Sequence, residues 1–140
     1  MILAFGQPTL AAEEMLALNR RRWAQDEAAT FAICDASDRC LGHVFVNLTS
    51  MERATIGFWL LPEARGKGLA TRAVRHVSRW ALRELALVRL GLLTEPSNEL
   101  SQRVAERSGF QREGVFRSYA EIDGRRVDYA LFSLVPADLG

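Results

Sequence analysis

A chain of 140 residues, 49% apolar and 25% charged, has the length of one ordinary globular domain and a composition that excludes a disordered or fibrous chain. Its formal net charge of +1 gives no overall pull toward nucleic acid or an anionic membrane, so any anion must be held by locally placed Arg or Lys. The spacing of Cys34 and Cys40 matches no zinc pattern, and no apolar run is long enough to span a bilayer, so neither a metal nor a membrane is expected.

In chain order, residues 1–8 read as an irregular start. They lack a positive leading region and are broken by Gly6 and Pro8, which does not suit a signal peptide, and a cytoplasmic protein is expected. Residues 9–25 carry Ala11, Met15, Leu18 and Arg22 at helical spacing behind Thr9 as N-cap. The period then changes to that of strands over 30–34, 41–48 and 53–61, with a turn over 35–39 and another around Ser50-Met51-Glu52. In the third strand Ile56, Phe58 and Leu60 share one side, and Thr55, Gly57 and Trp59 the other.

Pro62 closes that strand, and a charged loop leads to a helix over 69–84 with Ala70, Ala73, Val74, Val77, Ala81 and Leu85 as its apolar stripe. A strand over 88–94 follows, then a helix over 98–108 ended by Gly109. Strands over 111–119 and 126–135 flank the Asp123-Gly124 turn. Three antiparallel strands followed by a strand-helix-strand crossover predict one α+β domain over 1–140, a mixed, largely antiparallel sheet with helices on its faces.

The informative segment is Arg65-Gly66-Lys67-Gly68-Leu69-Ala70, placed between a buried strand and a long helix. Two glycines let the backbone turn tightly and approach a ligand, and the first helix amides, with the helix dipole, favour a phosphate or pyrophosphate. The spacing is neither that of a Walker loop nor that of the dinucleotide fingerprint. Arg72, Arg75, Arg79 and Arg83 form one basic stripe along the helix after the loop. With no interleaved aromatic residues it reads as a solvated face rather than a nucleic-acid site, as does Arg20-Arg21-Arg22 at the end of the first helix.

The loop resembles the Arg/Gln-X-X-Gly-X-Gly/Ala acetyl-CoA loop of the GCN5-related N-acetyltransferase (GNAT) superfamily. The likeness extends through Ile56-Gly57-Phe58-Trp59-Leu60, through the run from Glu95-Pro96-Ser97-Asn98 to Gly109-Phe110, and through Gly114-Val115-Phe116-Arg117 and Asp123-Gly124-Arg125-Arg126-Val127-Asp128. It covers roughly residues 30–135 and is similar to the RimJ/RimL-like branch, which acetylates ribosomal-protein N-termini, and to its small-molecule relatives.

The resemblance implies a GNAT-like sheet whose two central parallel strands splay apart, with acetyl-CoA as cosubstrate and no metal. Pantetheine would bond backbone near Trp59, Leu60 and Leu61, and the pyrophosphate would sit on the amides of Arg65, Gly66, Lys67, Gly68, Leu69 and Ala70. Arg72 or Arg75 would be open to the coenzyme's 3′-phosphate. Asn98 and Ser101 would face the thioester end, although Asn98 also reads as a helix N-cap and Ser101 as a surface helix position. Ser101, water or Tyr119 would reprotonate the leaving thiolate. The expected reaction is direct acetyl transfer to a primary amine, a peptide N-terminus or a small molecule; the rival is a non-catalytic acyl-CoA-binding module.

Two departures from the family pattern stand out. Thr55 occupies the strand position where many relatives carry a glutamate, leaving Glu52, Glu95 and Glu121 as candidate bases, with Glu52 expected beside Asn98 and Ser101 as catalytic. The first strand and helix of the family have no counterpart expected ahead of residue 9; either the chain is truncated there or another subunit covers that edge, as in a homodimer.

Overall fold

The structure, a computed structural model, describes residues 28–140. The helix expected over 9–25, the irregular start, the Arg20-Arg21-Arg22 run and the question of the family's first strand and helix all fall outside that range.

Strands β1 (Ala28–Cys34) and β2 (Cys40–Leu48) form a hairpin. Its turn is built by Asp35, whose carboxylate accepts the N–H groups of Ser37 at 2.8 Å and Arg39 at 3.0 Å. Strand β3 (Arg53–Leu60) pairs antiparallel with β2, and Pro62 opens a single 3-10 turn that ends it. Helix α1 (Leu69–Glu84), strand β4 (Arg89–Thr94) and helix α2 (Glu99–Arg107) follow, then strands β5 (Gln111–Ile122) and β6 (Arg125–Leu134). The six-stranded sheet has the order β1-β2-β3-β4-β6-β5, with β3 and β4 its one parallel pair among the described residues.

That parallel pair is short. It runs from Arg53↔Arg89 to Thr55↔Gly91, after which β3 continues to Leu60 and β4 to Thr94 with no further pairing. The two strands therefore part at their C-terminal ends, as the family resemblance implied.

Both described helices pack on the same side of the sheet. Val74, Val77, Ala81 and Leu82 of α1 and Ala105 of α2 share one buried cluster with Val44, Val46, Ile56, Leu90, Leu92 and Phe132. At ~1.5–3 kcal/mol for each large apolar side chain, this cluster is the main anchor of the crossover. Within α1, Ala73 and Leu85 lie at the margin of the expected stripe, while Leu82 and Ser78 are buried inside it. Leu93, Val127 and Tyr129 form a second cluster on the opposite face.

Strand β5 runs past residue 119 because a bulge, not a turn, interrupts it between Phe116 and Ala120. Ser118 takes a positive φ of 50° there. The Asp128 carboxylate accepts its N–H at 2.7 Å, and Arg126 donates to its hydroxyl and carbonyl oxygens. The hairpin beyond closes through Asp123 and Gly124, both at positive φ, the conformation of a type I′ turn.

Candidate functional site

Where β3 and β4 part, a cleft of about 440 Å³ opens between them, α1 and α2. On a strand, successive residues direct their backbone groups to opposite sides. Because the Leu61 N–H donates to Leu41 of β2 at 2.8 Å, the N–H groups of Leu60 and Phe58 alternate with it along the strand. Leu60 points toward the gap, its carbonyl accepting from Arg65 Nε at 3.1 Å, and Phe58 follows it by the same alternation. The gap thus offers an unpaired strand edge. Its lining draws on both faces of the sheet, with Phe58, Leu60, Leu92 and Thr94 from one and Gly57, Trp59 and Leu93 from the other. The cleft therefore passes through the sheet rather than ending on it.

The loop before α1 supplies the charged end. Arg65 donates its amide to Pro62, and the next amide with an internal acceptor is that of Arg72, on the Gly68 carbonyl at 3.1 Å. Among the described residues, the amides of residues 66 through 71 have no backbone or side-chain acceptor. Such a run at a helix start is a ready site for an anion. Gly66 and Gly68 sit at φ of 79° and 76°, and a Cβ added to either would meet nothing within 4 Å. Backbone conformation and open space, not packing, call for glycine here. Arg65, Arg103 and Arg107 line the cleft, and among the described residues no carboxylate does.

Asn98 caps α2: its side-chain oxygen accepts the Ser101 N–H at 3.1 Å. This uses one lone pair of the oxygen and leaves the amide NH2 as the donor Asn98 can offer the cleft. Of the residues singled out in the sequence, Trp59, Leu60, Arg65, Gly66, Gly68, Leu69, Ala70, Asn98 and Ser101 line the cleft. Lys67 does not line it, although its backbone amide belongs to the open run. Leu61 is a correction, because it does not line the cleft and its N–H is held by the Leu41 carbonyl, leaving no donor there for pantetheine.

Glu52 is the second correction. It lies in the turn before β3, roughly 25 Å along the strand from Leu60 at ~3.3 Å per residue, and its carbonyl accepts from Val88. Residues that the sequence pattern did not single out are Thr71, Leu92, Leu93, Leu100, Arg103, Val104 and Arg107. Their positions one helical turn apart on α2 (Leu100, Val104, Arg107) were the available signal. In the basic stripe, Arg75 donates to the Arg107 carbonyl, and Arg72, Arg79 and Arg83 make no ion pair among the described residues.

Two titratable groups on the far face are shifted. Burial holds the His43 imidazole below its ordinary range, beside the Trp59 ring at 6.2 Å. Burial first, then Glu95 and Tyr119, push the Tyr129 phenol up, so it is a neutral donor at physiological pH. Among the described residues no group of three or more His, Cys, Asp or Glu could hold a metal ion, and no helix is long and apolar enough to cross a membrane.

The family model described as an acetyltransferase (GNAT) domain matches residues 3–111. The chain is 35% identical over 123 residues to the probable N-acetyltransferase YjcK of Bacillus subtilis (strain 168), covering 85% of this chain and 68% of YjcK. It is 38% identical over 90 residues to YdaF of the same organism, which carries the name of a ribosomal N-acetyltransferase, covering 64% of this chain but 49% of YdaF. The crystal structure of a probable acetyltransferase matches with a TM-score of 0.84 at 28% identity, over 94% of this chain and 76% of that one.

Proposed function

The chain belongs to the acetyltransferase (GNAT) domain family, and from that premise we propose that it moves an acetyl group from acetyl-CoA directly onto a primary amine. The observation that carries this reading is the run of amides from 66 through 71 without internal acceptors, opening beside the unpaired edge of β3. The run suits a pyrophosphate, and the edge, through Phe58 and Leu60, suits the amide groups of pantetheine laid down like a short strand. Arg65, Arg103 and Arg107 supply the positive lining that the coenzyme's phosphates require.

With the thioester held in the gap, a backbone N–H of β3 near Leu60 polarises the carbonyl as negative charge develops. Holding both reactants together supplies up to ~7–11 kcal/mol of the barrier reduction. Asn98 and Ser101, at the start of α2, hold the arm near the thioester, and Ser101, water or a nearby tyrosine reprotonates the departing thiolate.

The acceptor in this reading is a peptide N-terminus or a small amine of similar basicity, as the likeness to YdaF favours. Among the described residues no carboxylate lines the cleft, and Thr55 fills the usual acidic position, between Asn47 and Gly91 in the sheet. An α-amine, with an unperturbed pKa of ~7.7–8.0, is about a tenth uncharged at neutral pH, whereas a lysine, at ~10.4, is uncharged in about one part in a few thousand. The α-amine therefore needs less help. Calorimetry with acetyl-CoA, followed by coenzyme A release across a panel of N-terminal peptides and small amines, tests the proposal. Binding without release for any amine would instead make the chain an acyl-CoA-binding module. Sedimentation would test the homodimer.

A further inference from the structure

The cleft opens on both sides of the sheet, and the side away from the helices carries a group of residues for which the coenzyme has no use. Leu93, at the far mouth, packs with Val127 and Tyr129. Glu95 follows Thr94 just beyond the end of β4, and its neighbours Arg125 and Tyr129 place it on the Leu93 side of the sheet. Two observations agree on that side. Glu95 lies 3.9 Å from Arg125, which alternates with Val127 and Tyr129 along β6, and it is one of the charges felt by the Tyr129 phenol. Its side chain is 34% exposed, so it is reachable, and 3.9 Å is too long for a hydrogen bond.

Beside it stands an aromatic shelf. The β5 bulge displays Phe116 and Tyr119 with ring centroids 4.9 Å apart, and Tyr119 lies 5.8 Å from Tyr129. Phe116 and Tyr119 are 40% and 52% exposed, an unusual amount for two adjoining rings. The bulge is held by Asp128 and Arg126 at a left-handed serine, so the shelf is a built feature of the strand.

We propose that Glu95 is the proton acceptor for the incoming amine, directly or through one water, and that the Phe116–Tyr119 shelf holds the chain bearing that amine. This rests on the acetyl-transfer reading above. In the transfer, the amine lone pair forms the new bond to the thioester carbonyl carbon, and the carbon–sulfur bond breaks with its pair leaving on sulfur. The ammonium proton passes to the Glu95 carboxylate. A carboxylate just beyond β4 thereby does, from across the gap, what Thr55 on β3 cannot. Arg125 and Tyr129 of β6 lie beside Glu95, with Tyr119 of β5 next to Tyr129.

The test is the pH dependence of E95Q. With a peptide N-terminal amine, kcat should fall on the order of a hundredfold at pH 7, within the range for a positioned base. The deficit should shrink toward pH 9, where the amine is already uncharged. Acetyl-CoA affinity measured by calorimetry should stay within twofold of wild type, and Phe116→Ser should raise the amine KM several-fold with kcat little changed. Wild-type kcat in E95Q, or a deficit equal at every pH, overturns the role of Glu95 while the acetyl-transfer reading stands. Unchanged amine KM in Phe116→Ser overturns the shelf. Failure of the wild-type protein to release coenzyme A with any amine overturns the acetyl-transfer reading and this inference with it.

Discussion

Replacing Gly68 by alanine separates what the coenzyme loop contributes to the fold from what it contributes to binding. Gly68 sits at φ 76° at the start of α1, and an added Cβ meets nothing within 4 Å. The substitution therefore costs backbone strain alone, roughly 1–2 kcal/mol for an L-residue held in the left-handed region. For a domain of this size that lowers Tm by about 4–8 °C, interpolating between small and larger domains. Gly124 in the β5–β6 turn has φ 74° and the same open surroundings, so Gly124→Ala should lose about the same stability. The two variants must differ in coenzyme binding. A methyl at position 68 projects where the open amides would meet the pyrophosphate, and a loss of at least tenfold in acetyl-CoA affinity, about 1.4 kcal/mol, is expected there and none at 124. Differential scanning calorimetry and titration of acetyl-CoA into both proteins provide the comparison. Equal melting shifts with wild-type affinity in Gly68→Ala would remove this loop from the coenzyme site.

Asn98→Ala should lower stability by about 1 kcal/mol through the lost helix cap, whereas Asn98→Ser, which also caps, should restore it. Activity that returns with the serine would leave Asn98 a structural role only, as turnover assays on both variants would reveal. Hydrogen bonds from Arg89, then from Ser133, hold the Glu113 carboxyl below the usual carboxylate range. A depressed folded-state pKa stabilises above the unfolded value near ~4.3 and ceases to as pH falls through the folded one. For this partly exposed pair, Glu113→Gln should thus cost under about 1 kcal/mol at pH 7, with urea melts of the two proteins converging in acid. Glu52→Gln should leave kcat within twofold of wild type, since the residue lies at the wrong end of β3; a large loss would return Glu52 to the site.

Much of the site is legible in the amino-acid sequence because its elements are local. The Gly-X-Gly loop, the strand before it and the helix after it adjoin along the chain, and the expected helix over 69–84 coincides with α1. The Asp123-Gly124 hairpin and the Asn98 cap are likewise set by residues within a turn of one another. Ser78 escaped the apolar stripe of α1 because a serine reads as polar, yet its position on the helix turns it inward.

By itself the sequence determined which segments become strands and helices, that one glycine loop precedes a helix, and that the chain resembles an acetyltransferase, since period, turn chemistry and motif spacing act over a few residues. Tertiary structure alone decided where the parallel pairing stops, at Thr55 and Gly91, and so how the cleft passes through the sheet. It also decided that the Leu61 N–H is consumed by β2 and that Glu52 is remote from the cleft, while Glu95 comes within 3.9 Å of Arg125. These outcomes depend on which strands become neighbours and in what register, and a shift of one residue there would turn every side chain to the opposite face.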